Sequence, residues 1–126
     1  MVISRETYLN ALKIRMHNGM IKVVTGIRRS GKSFLIFNIF KDYLMEIGTD
    51  KSHIIEIQLD LRQNRKYRDP DVILEHIESL ITDDGQYYIL LDEVQMLDEF
   101  EEVLNSLLHI QNADIYVTGS NSKFLS

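Results

Sequence analysis

The chain contains no cysteine and only one proline among its 126 residues. The absence of cysteine excludes disulfide bonds and thiolate metal sites. One proline and six glycines are too few for a long flexible linker or a low-complexity segment. The sequence also has no internal repeat, no apolar run of transmembrane length and no signal-peptide core. These absences favour a cytoplasmic protein.

Positive charge is also scarce, with 14 lysines and arginines against 19 acidic residues and a net charge of −5. This balance argues against nucleic acid as the direct partner of this segment. Hydrophobic residues make up 44% of the chain, which at this length is enough for one compact core and not for two. The composition therefore predicts a single domain.

A glycine-containing segment at residues 26–33 is the most informative part of the sequence. It reads Gly-Ile-Arg-Arg-Ser-Gly-Lys-Ser and fits the P-loop pattern of a glycine, four free positions and Gly-Lys-Ser. The β-branched segment 20–25 before it predicts a buried strand, and the apolar residues 34–40 after it predict a helix. Phosphate binding needs this order, because the glycines let backbone N–H groups turn inward and the helix adds its positive end.

The P-loop pattern assigns phosphate binding to one contiguous set of residues. Lys32 is expected to reach the β- and γ-phosphates of ATP, and the Ser33 hydroxyl to coordinate Mg²⁺. Either Arg28 or Arg29 could touch phosphate or a neighbouring subunit, and exposed charge explains both nearly as well. An ordinary loop is the alternative for the whole segment, although the flanking strand and helix disfavour it. The predicted nucleotide-binding residues are Gly26, Ile27, Arg28, Arg29, Ser30, Gly31, Lys32, Ser33 and Phe34.

A second motif at residues 87–93 is an apolar run, Tyr-Tyr-Ile-Leu-Leu, that ends in Asp92 and Glu93. It predicts a strand that places Asp92 near Mg²⁺ and Glu93 where a carboxylate can polarise the attacking water. A core strand followed by a solvated acidic turn is the alternative. A P-loop requires a Mg²⁺ partner from another strand, which favours the first interpretation. Gln95 could position water or switch with nucleotide state, and a turn residue that packs the next helix is the alternative.

Hydrophobic periodicity predicts strands that alternate with helices. Because such strands form a mostly parallel sheet with helices on both faces, the ligand is expected at their carboxyl ends. The partial alternation of the second strand is typical of a sheet edge. The predicted helices are residues 4–17, 32–46, 70–82 and 98–110, and the predicted strands are residues 20–25, 53–60, 86–92 and 114–118.

Residues 62–69 contain four cations, Arg62, Arg65, Lys66 and Arg68. A basic contact to nucleic acid is one interpretation of this segment. The acidic balance of the chain favours the other interpretation, a solvated loop.

Three segments together resemble the AAA+ superfamily. They are residues 22–33, residues 90–95 (Leu-Leu-Asp-Glu-Val-Gln) and residues 116–123 (Tyr-Val-Thr-Gly-Ser-Asn-Ser-Lys). More narrowly, the chain resembles prokaryotic predicted ATPases that share this P-loop sequence. The resemblance implies a three-layer P-loop fold with an additional strand and sheet order 5-1-4-3-2. It also implies that Ser120 or Asn121 senses the γ-phosphate, and a helix cap is the alternative role for both.

The same resemblance implies that residues 1–126 are the N-terminal part of one AAA+-like domain. The fifth strand, an arginine-finger region and a lid would follow. The expected activity is hydrolysis of ATP with Mg²⁺ in the full-length protein, with weak activity from residues 1–126 alone. Self-association, or a neighbouring subunit that supplies an arginine, is the expected partner arrangement.

Two other functions remain open from the sequence. One is a nucleotide-gated switch that binds ATP with little turnover. The other is a P-loop kinase, which is disfavoured because no phosphate-acceptor pocket is evident and an acid directly follows Asp92.

Overall fold

A four-stranded parallel sheet forms the centre of the computed structural model, which describes residues 5–25 and 31–119 apart from the Arg5 side chain. The strands are β1 (Lys22–Thr25), β2 (Ile54–Gln58), β3 (Tyr87–Asp92) and β4 (Ala113–Gly119). Their spatial order is β1-β4-β3-β2, and every neighbouring pair is parallel. This order confirms the 1-4-3-2 part of the expected topology and the edge position of the second strand.

The described residues form five α-helices, of which the first precedes β1 and the other four lie between strands. A π-helical turn, Leu35–Phe40, joins the second and third helices, so the predicted helix at residues 32–46 is one continuous helical run. None of the helices in residues 5–25 and 31–119 is long and apolar enough to cross a bilayer. The helices are α1 (Arg5–Lys13), α2 (Lys32–Phe34), α3 (Lys41–Glu46), α4 (Pro70–Leu80) and α5 (Phe100–Leu107).

The hydrophobic core lies on both faces of the sheet, as the three-layer prediction requires. Strand β3 is buried throughout, and its successive side chains point to opposite faces. Ile89 and Leu91 pack with residues of α4 and α5, whereas Leu90 packs with α1 and with the helical run that follows the P-loop. The sheet is therefore covered by helices on both sides.

The sequence predicts that the first helix ends at His17, but α1 ends at Lys13. The difference arises because His17 is bonded to the sheet. His17 adopts a left-handed backbone with φ 59°, and its N–H donates to Asp114 Oδ2 at 2.9 Å. Asp114 also forms a buried ion pair with Lys22 and accepts from the Tyr116 hydroxyl at 2.5 Å. The pKa of Tyr116 is raised mainly because the hydroxyl is buried, and to a smaller extent because it donates a hydrogen bond to Asp114. These contacts fix the start of β1, the strand that leads into the P-loop.

The segment predicted as a loop at residues 62–69 is instead a three-ten helix, Arg62–Arg68. A side-chain bond to the end of β2 holds it, because Asn64 Nδ2 donates to the Gln58 carbonyl at 2.9 Å. The following helix begins as the sequence predicts, since the Asp69 carboxylate caps it and Pro70 occupies its first turn.

Candidate functional site

The register of the sheet brings the predicted site segments to one edge, the one formed by the carboxyl ends of the four parallel strands. Thr25, the last residue of β1, pairs with Gly119 at the end of β4. Gln58, the last residue of β2, pairs with Asp92 at the end of β3. All four strands are parallel, so the end of the P-loop strand and the two acids face the same side of the molecule.

The glycine that precedes α2 has the backbone conformation that a P-loop turn needs. Gly31 has φ 89° and ψ 7°, in the left-handed region that residues with a Cβ rarely adopt. Among the described residues, chain neighbours aside, no heavy atom lies within 4 Å of a Cβ placed at Gly31, so the backbone conformation is what favours glycine there. Its carbonyl accepts the Leu35 N–H at 2.9 Å, which begins the helix. Lys32 and Ser33 therefore lie in the first turn.

Lys32 forms a buried ion pair with Glu93. Its Nζ donates to Glu93 Oε2 at 3.0 Å, and each side chain is only 5% exposed. The other carboxylate oxygen, Glu93 Oε1, accepts from Gln95 Nε2 at 2.8 Å. The cation expected to bind phosphate and the carboxylate expected to activate water thus neutralise each other in this structure.

Ser33 and Asp92 form the second contact between the P-loop helix and β3. Ser33 Oγ donates to Asp92 Oδ1 at 2.7 Å, and the Asp92 side chain is buried. The backbone carbonyl of Asp92 accepts the Leu59 N–H at 3.1 Å, which extends the pairing of β2 and β3 by one residue. A hydroxyl and a carboxylate oxygen therefore lie side by side at the end of β3.

Thr118 holds both acids in place, and sequence analysis did not single it out. Its hydroxyl donates to Asp92 Oδ1 and accepts the Glu93 N–H at 2.9 Å. Glu93 has φ 53°, a left-handed conformation that costs about 1–3 kcal/mol in a residue other than glycine and needs such support. The available signal was a polar residue in an apolar strand, one position before Gly119.

The structure brings together four of the predicted site residues, Lys32, Ser33, Asp92 and Glu93, at this edge. Phe34 follows Ser33 in the helix and is 44% exposed, whereas Gln95 contacts Glu93 directly. The remaining predicted positions, residues 26–30, Ser120 and Asn121, lie outside the described residues.

The parallel sheet with order β1-β4-β3-β2, the helix after Gly31 and the acids at the end of β3 define a P-loop type of α/β nucleotide-binding fold. A family model described as "AAA domain" matches residues 18–126. The chain belongs to this AAA domain family, whose members are nucleotide-binding domains.

Two curated relatives are uncharacterized proteins. One, from Haemophilus influenzae, is 33% identical over 126 residues, which cover 99% of this chain and 31% of the relative. The other, from Methanocaldococcus jannaschii, is 28% identical over 129 residues, which cover 99% of this chain and 25% of the relative. The chain thus spans between a quarter and a third of the length of these relatives. No solved structure matches it significantly.

Proposed function

We propose that this domain binds ATP together with Mg²⁺ and that the full-length protein hydrolyses ATP to ADP and phosphate. The observation that carries the proposal is the double pairing of the P-loop helix with the end of β3. Lys32 contacts Glu93, and Ser33 contacts Asp92. Each pair joins a residue type needed at the phosphates to one needed at the metal or at the attacking water.

The donor set at the end of β3 fits Mg²⁺. The ion prefers hard oxygen ligands, and Ser33 Oγ and Asp92 Oδ1 are adjacent oxygens 2.7 Å apart. Ser33 and Asp92 would hold the ion, Asp92 through water. When bound, Mg²⁺ neutralises charge that develops on the phosphates.

Lys32 changes partner in the proposed mechanism. In the structure its Nζ is bonded to Glu93, and the phosphates of ATP offer it a stronger anion at the same helix terminus. Transfer of Lys32 to phosphate breaks its bond to Glu93 Oε2, and the Glu93 carboxylate can then orient the attacking water and accept its proton. Backbone N–H groups of residues 26–33 hold the phosphates, and Ser120 or Asn121 senses the γ-phosphate. An arginine from a neighbouring subunit completes the site.

A nucleotide-gated switch is the second candidate, and the contacts of Glu93 favour it. Both carboxylate oxygens are engaged, one by Lys32 and one by Gln95. A site that keeps this arrangement would bind ATP and turn over rarely. Phosphate release by the full-length protein, measured with and without Mg²⁺, separates the two functions. Mg²⁺-dependent multiple turnover supports hydrolysis, whereas saturable ATP binding without turnover supports the switch.

Thr118→Val is expected to raise the Mg²⁺ concentration needed for half-maximal ATP turnover by about 10–100-fold, the usual effect of losing a partner of a metal ligand. The substitution removes the hydroxyl that bonds Asp92 and the Glu93 N–H but keeps the shape of the side chain. Thr118→Ser keeps the hydroxyl and should stay near the wild-type value. An equal Mg²⁺ requirement in Thr118→Val and wild type would exclude this positioning role.

A further inference from the structure

The three-ten helix Arg62–Arg68 carries four cations in seven residues. It follows the end of β2, so it lies at the same edge of the sheet as Asp92. None of its cations takes part in the proposed ATP chemistry. We refer to residues 62–68 as the basic surface.

The basic surface presents a row of arginines. In a three-ten helix, side chains three residues apart lie above one another, with a rise of about 2.0 Å per residue. Arg62, Arg65 and Arg68 therefore follow one another along one side, about 6 Å apart. The row is fixed to the sheet, because Arg68 Nε donates to the Leu59 carbonyl at 2.8 Å and the Arg68 carbonyl accepts the Asp98 N–H at 2.9 Å.

The outer cations of this surface lack acidic partners. Arg62, Arg65 and Lys66 are exposed, and none of them forms an ion pair with any residue in the described part of the chain. Lys66 Nζ lies over the Tyr67 ring at 5.1 Å, and this contact leaves its positive charge uncompensated. Residues 62–68 thus carry four cations and no acid on a chain whose net charge is −5.

The chemistry of the basic surface fits a polyanion better than a protein. Protein interfaces depend on apolar or aromatic anchors that become buried at their centre. The basic surface has no exposed large apolar side chain among residues 62–68, and its aromatic ring, Tyr67, is half-buried and packs in a tilted arrangement against His76, with ring centroids 4.5 Å apart. The exposed guanidinium groups of Arg62 and Arg65, one turn apart, instead suit phosphates, which such groups bind with paired N–H donors.

We propose that Arg62, Arg65 and Lys66 bind the phosphate backbone of a nucleic acid without reading its sequence. Contacts to phosphates position a protein on nucleic acid and carry no base information. The acidic balance of the chain confines this contact to the basic surface, because a polyanion is repelled by the rest of the molecule. Composition favoured a solvated loop at residues 62–69. The structure instead has a regular helix there, which holds exposed cations at fixed spacing.

Fluorescence anisotropy tests the proposal with the full-length protein and a fluorescein-labelled DNA duplex of mixed sequence. Single-stranded DNA and single-stranded RNA of the same sequence identify the preferred form. Replacing Arg62, Arg65 and Lys66 together by alanine should weaken binding at least about tenfold at about 50 mM salt. It should also reduce the slope of log affinity against log salt by about three for the duplex, since each of the three cations neutralises one phosphate.

The matched control is the combined substitution Lys13→Ala, Arg15→Ala and Lys51→Ala. It removes three cations that precede strands and so lie toward the amino ends of the strands, away from the basic surface. These residues precede β1 and β2, so the control changes net charge equally but leaves the basic surface intact. It should retain the wild-type affinity and salt slope. Equal affinity of both triple variants, or no binding of any probe by the wild type, would overturn the proposal. Stronger displacement of the probe by poly-glutamate than by unlabelled DNA of equal charge would assign an acidic protein partner and overturn it too.

Discussion

Glu93→Gln in the full-length protein is expected to lower ATP turnover by about 10²-fold or more, the scale of a lost general base. Glutamine keeps the shape of the side chain and can still bond Gln95, but it cannot accept a proton from water. Multiple-turnover phosphate release measures the effect.

The same substitution should leave ATP binding intact or make it tighter. In the structure the Glu93 carboxylate holds Lys32 in an ion pair at 3.0 Å, so phosphate must compete with it. A neutral amide removes this competitor. Glu101→Gln, which neutralises an exposed acid in α5, is the matched control and should change neither property. Wild-type turnover in Glu93→Gln would remove Glu93 from the catalytic role.

Lys32→Ala is expected to weaken ATP binding by about 10²-fold, since hydrogen bonds to charged groups contribute as much as about 3 kcal/mol. Titration with a fluorescent ATP analogue measures the loss. Lys41→Ala is the matched control, because the Lys41 ion pair with Glu56 lies at the surface, with the two side chains 19% and 38% exposed, and surface pairs contribute about 1 kcal/mol or less. Equal affinity in Lys32→Ala and Lys41→Ala would contradict the assignment of Lys32.

Loss of binding in Lys32→Ala must be separated from loss of stability. Removing one partner of a buried pair leaves an uncompensated charge at a cost of about 3–5 kcal/mol. The double substitution Lys32→Ala and Glu93→Gln removes both charges and should recover most of the lost unfolding free energy in denaturant. Because it still lacks the lysine, its ATP affinity should stay low. Recovery of ATP binding in the double variant would show that Lys32 acts through stability alone.

The sequence predicted the four strands because each is a short segment rich in apolar residues next to a turn or a helix. Strand β3 is the clearest example, since it is buried on both faces and its residues form an unbroken apolar run. The order of the strands came from the resemblance and not from periodicity, which carries no information about which strands are neighbours. Lys32, Ser33, Asp92 and Glu93 were predicted individually from two motifs, and the fold places them in contact.

What the sequence did not predict depends on contacts between distant residues. Lys32 and Glu93 are 61 positions apart, and each was assigned to the ligand, so their mutual ion pair could not be read from either motif. Thr118 bonds Asp92 and Glu93 from the adjacent strand, and its role follows from register alone. The three-ten helix at residues 62–68 depends on bonds back to Gln58 and Leu59, which local propensity does not encode.

Calorimetric titration of ATP into the full-length wild-type protein, with Mg²⁺ and then with a chelator, tests most directly whether this edge of the sheet is a nucleotide site. With Mg²⁺ we expect saturable binding of one ATP per chain, because Lys32 can exchange Glu93 for phosphate while Ser33 and Asp92 hold the ion. With the chelator the affinity should fall, since Asp92 then faces the phosphates without a cation between them. The absence of saturable ATP binding in the presence of Mg²⁺ would contradict the account.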